Sequence, residues 1–250
     1  MELGVAPLTG SAVANADRVR LTYCDDATGE RTELTAAALG GWAGRAAGLL
    51  RDGCGLMPGD RAAVLLPPHW QTAAVLLGAW SMGVAVSYRP WAIAGLAAPD
   101  PAPWDAVFVA QGRLDSWLEA VPAGRHRFVL GLAPEGAGLV DVPDGYRDFI
   151  VEARRYPDTP PPYWEVGPAG AASPDGTTYA EWAGLAHGFA ESLELKAGDR
   201  VLVDVSAREQ PVMWLLAPLS VGASIVLCAN VDRDHLNERA AAEGATHILA

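Results

Sequence analysis

GGWAGRAAGLLRDGCGLMPGDRAAVLLPPHWQTAAVLLGAWSMGVAVS (40–87) and EWAGLAHGFAESLELKAGDRVLVDVSAREQPVMWLLAPLSVGASIVL (181–227) repeat one plan. Each carries a Trp-Ala-Gly segment, at Trp42 and at Trp182, on an amphipathic helical stretch. Each then reaches a Gly-Asp-Arg turn, Gly59-Asp60-Arg61 or Gly198-Asp199-Arg200, followed by an apolar run, AAVLL (62–66) or VLVDV (201–205). An apolar helical segment comes next, QTAAVLLGAWSMG or QPVMWLLAPLSVG, and then a second strand, VAVS (84–87) or ASIVL (223–227). Gly59 to Gly83 and Gly198 to Gly222 are both 24 residues apart. Chance matching in an Ala/Gly-rich chain accounts for the Trp-Ala-Gly segment alone, but not for shared order, spacing and periodicity together.

Short continuous apolar runs alternating with helices imply parallel strands covered on both faces. The expected fold is therefore α/β, with two similar doubly wound βα subdomains built on mostly parallel sheets. WDAVFVA (104–110) and RFVLGLA (127–133) read as further strands of the first sheet, joined by a helix in GRLDSWLEAVP. EARRYPDTPPPYWEVGPAGAASPDG (152–176) is rich in Pro and Gly and has no periodicity, as a linker or long surface loop would be. The expected division is a first subdomain over 1–158, a linker over 159–176 and a second subdomain over 177–250. THIL (246–249) reads as a strand opening a further βα unit, so the second subdomain looks truncated.

Half the residues are apolar and 19% are charged, which places the chain among globular proteins. A net charge of −12 argues against nucleic acid or an anionic membrane as partner, since both demand a basic footprint. Seventeen arginines stand against one lysine, Lys196, the single candidate for a lysine-dependent step. Cys24, Cys54 and Cys228 lie far apart and form neither a disulfide framework nor a CxxC metal site. The five histidines include no HExxH pattern; Asp232, Asp234 and His235 could ligate a metal but suit a solvated helix start better. The N-terminus lacks a secretory pattern, and the uncharged stretch from Ala62 to Tyr88 contains Pro67, Pro68, His69 and Gln71, so a cytoplasmic location is expected and no membrane span.

GCGLMPG (53–59) contains a GxG, but it lies between a helix and a strand, whereas a dinucleotide fingerprint lies between a strand and a helix. No GxSxG elbow is present, and no catalytic residues emerge. The nine tryptophans are scattered, as core and edge packing would have them. GPAGAASPDGTTYAEW (167–182), small and Gly-rich ahead of a helix, has the composition of a phosphate-cradling loop.

The segment RTELTAAALGGWAGRAAGLLRDGCGLMPGDRAAVLLPPHWQTAAVLLGAWSMGVAV (31–86) resembles the opening of the adenylate-forming enzymes, the superfamily of acyl-CoA synthetases, peptide-synthetase adenylation domains and luciferases. Residues 195–227 are similar to that superfamily's second GDR unit, and EGATHIL to the strand beyond it. The chain also resembles a short stand-alone actinobacterial family similar to AMP-binding enzymes. The resemblance implies a phosphate loop of the form TSGTTGxPKG between the two units. Pro174 and Gly176 match its Pro and Gly, Asp175 falls where its Lys would be, and Gly167–Ala172 replace TSGTTG without one hydroxyl.

Gly170, Ser173, Asp175, Gly176 and Thr177 are accordingly the candidate cofactor-site positions, as a degenerate phosphate loop. Exchanging a cation for a carboxylate beside a polyanion loses an attraction and adds a repulsion, each roughly 1–4 kcal/mol. ATP or AMP binding is expected to be weak or lost, with no cofactor and no metal assigned. The superfamily's later adenine-binding motifs and its C-terminal catalytic lysine have no counterpart in the sequence. The expectation is an AMP-binding-enzyme-like pseudoenzyme with a protein partner or a small carboxylic-acid ligand. Two alternatives stay open: an active or split acyl-adenylate or CoA-ligase component, and an unrelated α/β nucleotide- or small-molecule-binding protein.

Overall fold

The computed structural model describes residues 16–94, 96, 102–116, 121–159 and 166–250. Along the chain run β1 (Val19–Asp25), β2 (Glu30–Thr35), α1 (Ala36–Gly48), β3 (Arg61–Leu65), α2 (Trp70–Ser81), β4 (Ala85–Tyr88), β5 (Trp104–Ala110) and α3 (Gln111–Leu114). Then come β6 (Gly124–Leu130), β7 (Arg147–Asp148), α4 (Phe149–Ala153), α5 (Tyr179–Ser192), β8 (Arg200–Asp204), α6 (Ala217–Ser220), β9 (Ser224–Ala229), α7 (Leu236–Ala242) and β10 (His247–Leu249).

The strands form two five-stranded sheets, ordered β4-β3-β5-β6-β7 and β10-β8-β9-β1-β2. Every pairing is parallel except the β1–β2 hairpin. The repeat seen in the sequence is a repeat of register: Arg61 faces Ala85 in one sheet and Arg200 faces Ser224 in the other.

Its turn chemistry is also duplicated. Asp60 accepts the Met57 N–H at 2.8 Å, and Asp199 accepts the Lys196 N–H at 2.7 Å. The Asp60 and Asp199 carbonyls then accept from Ala85 and Ser224, both at 2.8 Å, which begins the strand pairing. Gly59 and Gly198 precede these aspartates at φ 92° and 96°, a left-handed conformation that a Cβ would oppose. Lys196 thus serves the turn through its backbone, and its side chain is exposed.

The largest core lies between the sheets. Ala62 and Val64 of β3, Val201 and Val203 of β8, and Ile225 and Leu227 of β9 point into it, together with Trp70, Leu76 and Trp214. Alternate residues of the same strands face outward into two smaller clusters. Ala63 and Leu65 join one with Val107 and Val109; Leu202, Val226, Cys24 and Cys228 form the other with Ala240 of α7. Burial on both faces is why the strands read as unbroken apolar runs.

Three features depart from the expectations above. Sheet membership does not follow the 1–158 and 177–250 division, because the β1–β2 hairpin pairs with β9 of the second unit. QPVMWLLAPLSVG is not one regular helix: Val212–Leu216 winds as a wide π-type turn and only Ala217–Ser220 is α-helical. Pro218 lacks the N–H that a continuous ladder requires, so the winding is wide before it and Pro218 falls in the first turn of the α-helical segment. Of the helix expected within GRLDSWLEAVP only its first residues belong to one, in α3; positions 117–120 lie outside the described residues, as do 1–15 and the linker positions 160–165.

Candidate functional site

The loop at 167–182 is a hairpin with a helix attached. Ser173-Pro174-Asp175-Gly176 forms a β-turn in which the Gly176 N–H donates to the Ser173 carbonyl at 3.0 Å. Pro at the second turn position sets φ, and Gly176 at φ 92° supplies the left-handed residue that lets the chain reverse. Ala172 and Ser173 then donate to the Thr177 carbonyl at 2.8 and 3.2 Å, and Ala171 bridges Thr178. The turn residues thus have a local structural role in full.

From Gly176 to Glu181 every backbone N–H is occupied. Thr177 donates to the Asp175 carboxylate at 3.0 Å, and Thr178 to the Glu181 carboxylate at 2.7 Å. Tyr179 donates to the Gly170 carbonyl, Ala180 to the Pro168 carbonyl, and Glu181 to the Thr178 hydroxyl. Thr178 and Glu181 make a capping box at the start of α5. An anion at a helix N-terminus relies on unoccupied N–H groups; here the protein's own acceptors take them.

Charge adds to this. The N–H and hydroxyl of Thr177 hold the Asp175 carboxyl below the ordinary carboxylate range, and Thr178 does the same for Glu181. Both groups are ionised at neutral pH. They border an open cavity of about 640 Å³ shared with Gly176, Thr177, Gly184 and Leu185, and none of the described residues that line it is basic.

The loop is also anchored from below. The Trp182 indole donates to the Ser173 hydroxyl at 2.7 Å, and Tyr179 donates to the Trp80 carbonyl at 3.0 Å. The Ala172 carbonyl accepts from the Trp80 indole at 3.2 Å and from the Val86 N–H at 2.9 Å. Ser173 and Ala172 are therefore buried against α2 and β4, while Gly170, Asp175 and Gly176 are exposed and Thr177 is half-buried. Of the five candidate positions, Asp175, Gly176 and Thr177 share the cavity; Ser173 turns into the core and Gly170 lies on the opposite arm of the hairpin. A triphosphate does not fit these residues, which present carboxylates and occupied donors where it needs free donors and cations.

Trp182 was named in the sequence only as part of the Trp-Ala-Gly repeat, and the anchors Trp80 and Tyr179 were not singled out. The capping box was readable, since TYAE (178–181) has the Thr-x-x-Glu spacing. Among the described residues no group of three or more His, Cys, Asp or Glu side chains could hold a metal ion. Asp232 instead caps a short turn through the Asp234 N–H and pairs with His235 at 2.9 Å. No described helix is long and apolar enough to cross a membrane.

Known proteins place this architecture. A TIGR03089 family protein of Mycobacterium tuberculosis is 36% identical over 235 residues, spanning 92% of this chain and 90% of that relative. The chain belongs to the TIGR03089 family. No protein-family profile matches it.

In structure, this family member is similar to the anthranilate CoA ligase AuaEII solved with anthranoyl-AMP, with a TM-score of 0.71 and 16% identity. It is similar also to a Brucella canis acyl-CoA synthetase (0.73, 19%) and a Mycobacterium tuberculosis fatty acyl CoA synthetase (0.63, 14%). The matches cover 97–98% of this chain and 47–48% of those chains, so the chain spans about half the length of the solved ligases it matches. At such identities the likeness establishes the fold, which is that of the N-terminal region of adenylate-forming enzymes.

Proposed function

We propose that this AMP-binding-enzyme-like protein is a pseudoenzyme: it keeps the scaffold of an adenylate-forming ligase, lacks ATP-dependent adenylation, and acts by binding a small carboxylic acid or a protein partner. The observation that carries the reading is the loop over 167–182. Its donors from Gly176 to Glu181 are occupied internally, and Asp175 and Glu181 add negative charge. Asp175 is exposed, so after screening the exchange of a cation–phosphate attraction for a repulsion corresponds to about one decade of affinity, beside the loss of free donors.

The test is ATP–pyrophosphate exchange by the purified chain with a panel of aliphatic and aromatic carboxylic acids, beside calorimetric titration with Mg-ATP. The expected result is no exchange and no saturable heat below millimolar ATP. Thermal-shift measurements with the same acids should give a stabilised complex without nucleotide. Exchange by the chain alone, or exchange that appears when native lysate is added, would overturn the proposal.

A further inference from the structure

Cys24 and Cys228 are 204 positions apart in the sequence and direct neighbours in the structure. They are register partners on the adjacent parallel strands β1 and β9, so their side chains leave the same face of the sheet. Adjacent strands hold paired Cα atoms about 4.8 Å apart, inside the roughly 4.4–6.8 Å span that a disulfide bridges. Both thiols are free, and the residues are 2% and 1% exposed in the small outer cluster.

The surroundings make the two sulfurs unequal. The neighbouring Cys228 lowers the pKa of Cys24, with Arg31 and Arg239 assisting, against burial and the Glu243 charge. The neighbouring Cys24, with burial, pushes Cys228 well above the ordinary thiol range. The Cys24 thiol donates to the Glu243 carboxylate at 3.7 Å, and that carboxylate's charge is shared with Arg31 and Arg200, each at 3.1 Å. Asp26 near Cys228 is paired with Arg239.

The cover over the pair is thin. α7 spans seven residues and contributes Ala240 as its buried residue, with Leu236, Val231 and Ala245 half-buried beside it. Elements with few buried apolar contacts open well below the global unfolding free energy. Opening α7 admits a small oxidant to the thiols without disturbing the core between the sheets.

We propose that Cys24 and Cys228 form an oxidisable dithiol site that closes to a disulfide across β1 and β9 when the chain meets a peroxide. The Cys24 thiolate attacks one oxygen of hydrogen peroxide and the O–O bond breaks. Hydroxide leaves and is protonated to water, and Cys24 becomes a sulfenic acid. The Cys228 sulfur then displaces the sulfenic hydroxyl as a second water, losing its proton in that step, and the S–S bond forms. Two thiols and one peroxide yield one disulfide and two waters; a dithiol reductant reverses the oxidation by exchange.

The test treats the full chain with stoichiometric hydrogen peroxide, followed by non-reducing peptide mapping. A 24–228 cross-link lighter by two hydrogens, with Cys54 still free, is expected. Closing so long a loop should raise Tm by about 4–16 °C, and dithiothreitol should restore the original value. In Cys228→Ser the oxidation stops at Cys24 and dimedone traps the sulfenic acid; should this variant misfold, mapping of the wild-type chain decides. Three free thiols after treatment, a link through Cys54, or oxidation of both sulfurs without a link would overturn the proposal.

Discussion

His69 makes the stability of this protein depend on pH in a calculable way. It sits between the end of β3 and the start of α2, where its Nδ1 accepts the Gln71 N–H at 3.1 Å and caps the helix. The ring meets Tyr23 edge-on with centroids 4.2 Å apart, and Nε2 has no partner among the described residues. Burial drives its pKa down to about 3, against a weak opposing pull from Asp25. Between pH 6.5 and 3 the unfolded chain therefore binds a proton that the folded chain does not. Stability is fully present above pH 6.5 and is lost as pH falls, at up to about 1.4 kcal/mol per unit. Integrated from pH 7 to pH 5, the loss is about 2 kcal/mol, or about 4–8 °C in Tm for a chain of this size. His69→Asn keeps a capping acceptor and cannot titrate. Urea unfolding of both proteins at pH 7, 6 and 5 should give a profile flatter by about 2 kcal/mol in the variant. Parallel profiles would refute the reasoning, as would an imidazole resonance of His69 titrating near pH 6.

Asp175→Lys should raise Mg-ATP affinity by only about 5–30-fold, because solvent and salt screen an exposed charge and the nearby donors stay occupied; titrations at 50 mM and 500 mM salt should show most of the gain vanish in the latter. Thr178→Ala removes the hydroxyl half of the capping box and leaves the residue-178 N–H to the Glu181 carboxylate; it should cost about 1 kcal/mol, lowering Tm by about 2–4 °C in calorimetry. Asp60→Ala and Asp199→Ala each delete the same turn bond and should cost about 1 kcal/mol apiece. Their double variant should show the sum to within about 0.5 kcal/mol by denaturant titration, because the turns lie in different sheets and share no partner.

Much of the architecture was legible because it is written twice. Gly59-Asp60-Arg61 and Gly198-Asp199-Arg200 determine a turn, a strand start and a register by local chemistry, and local chemistry survives in sequence patterns. β5 was placed at 104–110, where the structure has it, since its apolar run is buried on both faces. The β1–β2 hairpin was not recognised: VRLTYCD and ERTELT alternate as half-buried strands do, but nothing local says that they join a strand at 224–229. The inward turn of Ser173 was equally hidden, because its partner Trp182 is fixed by the helix that follows. Cys24 and Cys228 illustrate the same limit: sequence spacing carries no information about parallel neighbours that distant segments bring together.

The shared sheet also imposes an order on assembly. Residues 61–148 contain every strand of the first sheet, so that sheet can close while synthesis continues. The hairpin at 19–35 leaves the ribosome earlier still, yet its neighbour β9 follows roughly 190 residues later, or roughly 10–40 s at ordinary translation rates. For that interval one edge of β1 is an unpaired strand edge, open to the wrong partner. Among the described residues the strands made first are among the last to be paired, and the second sheet forms around an edge that has been waiting for it.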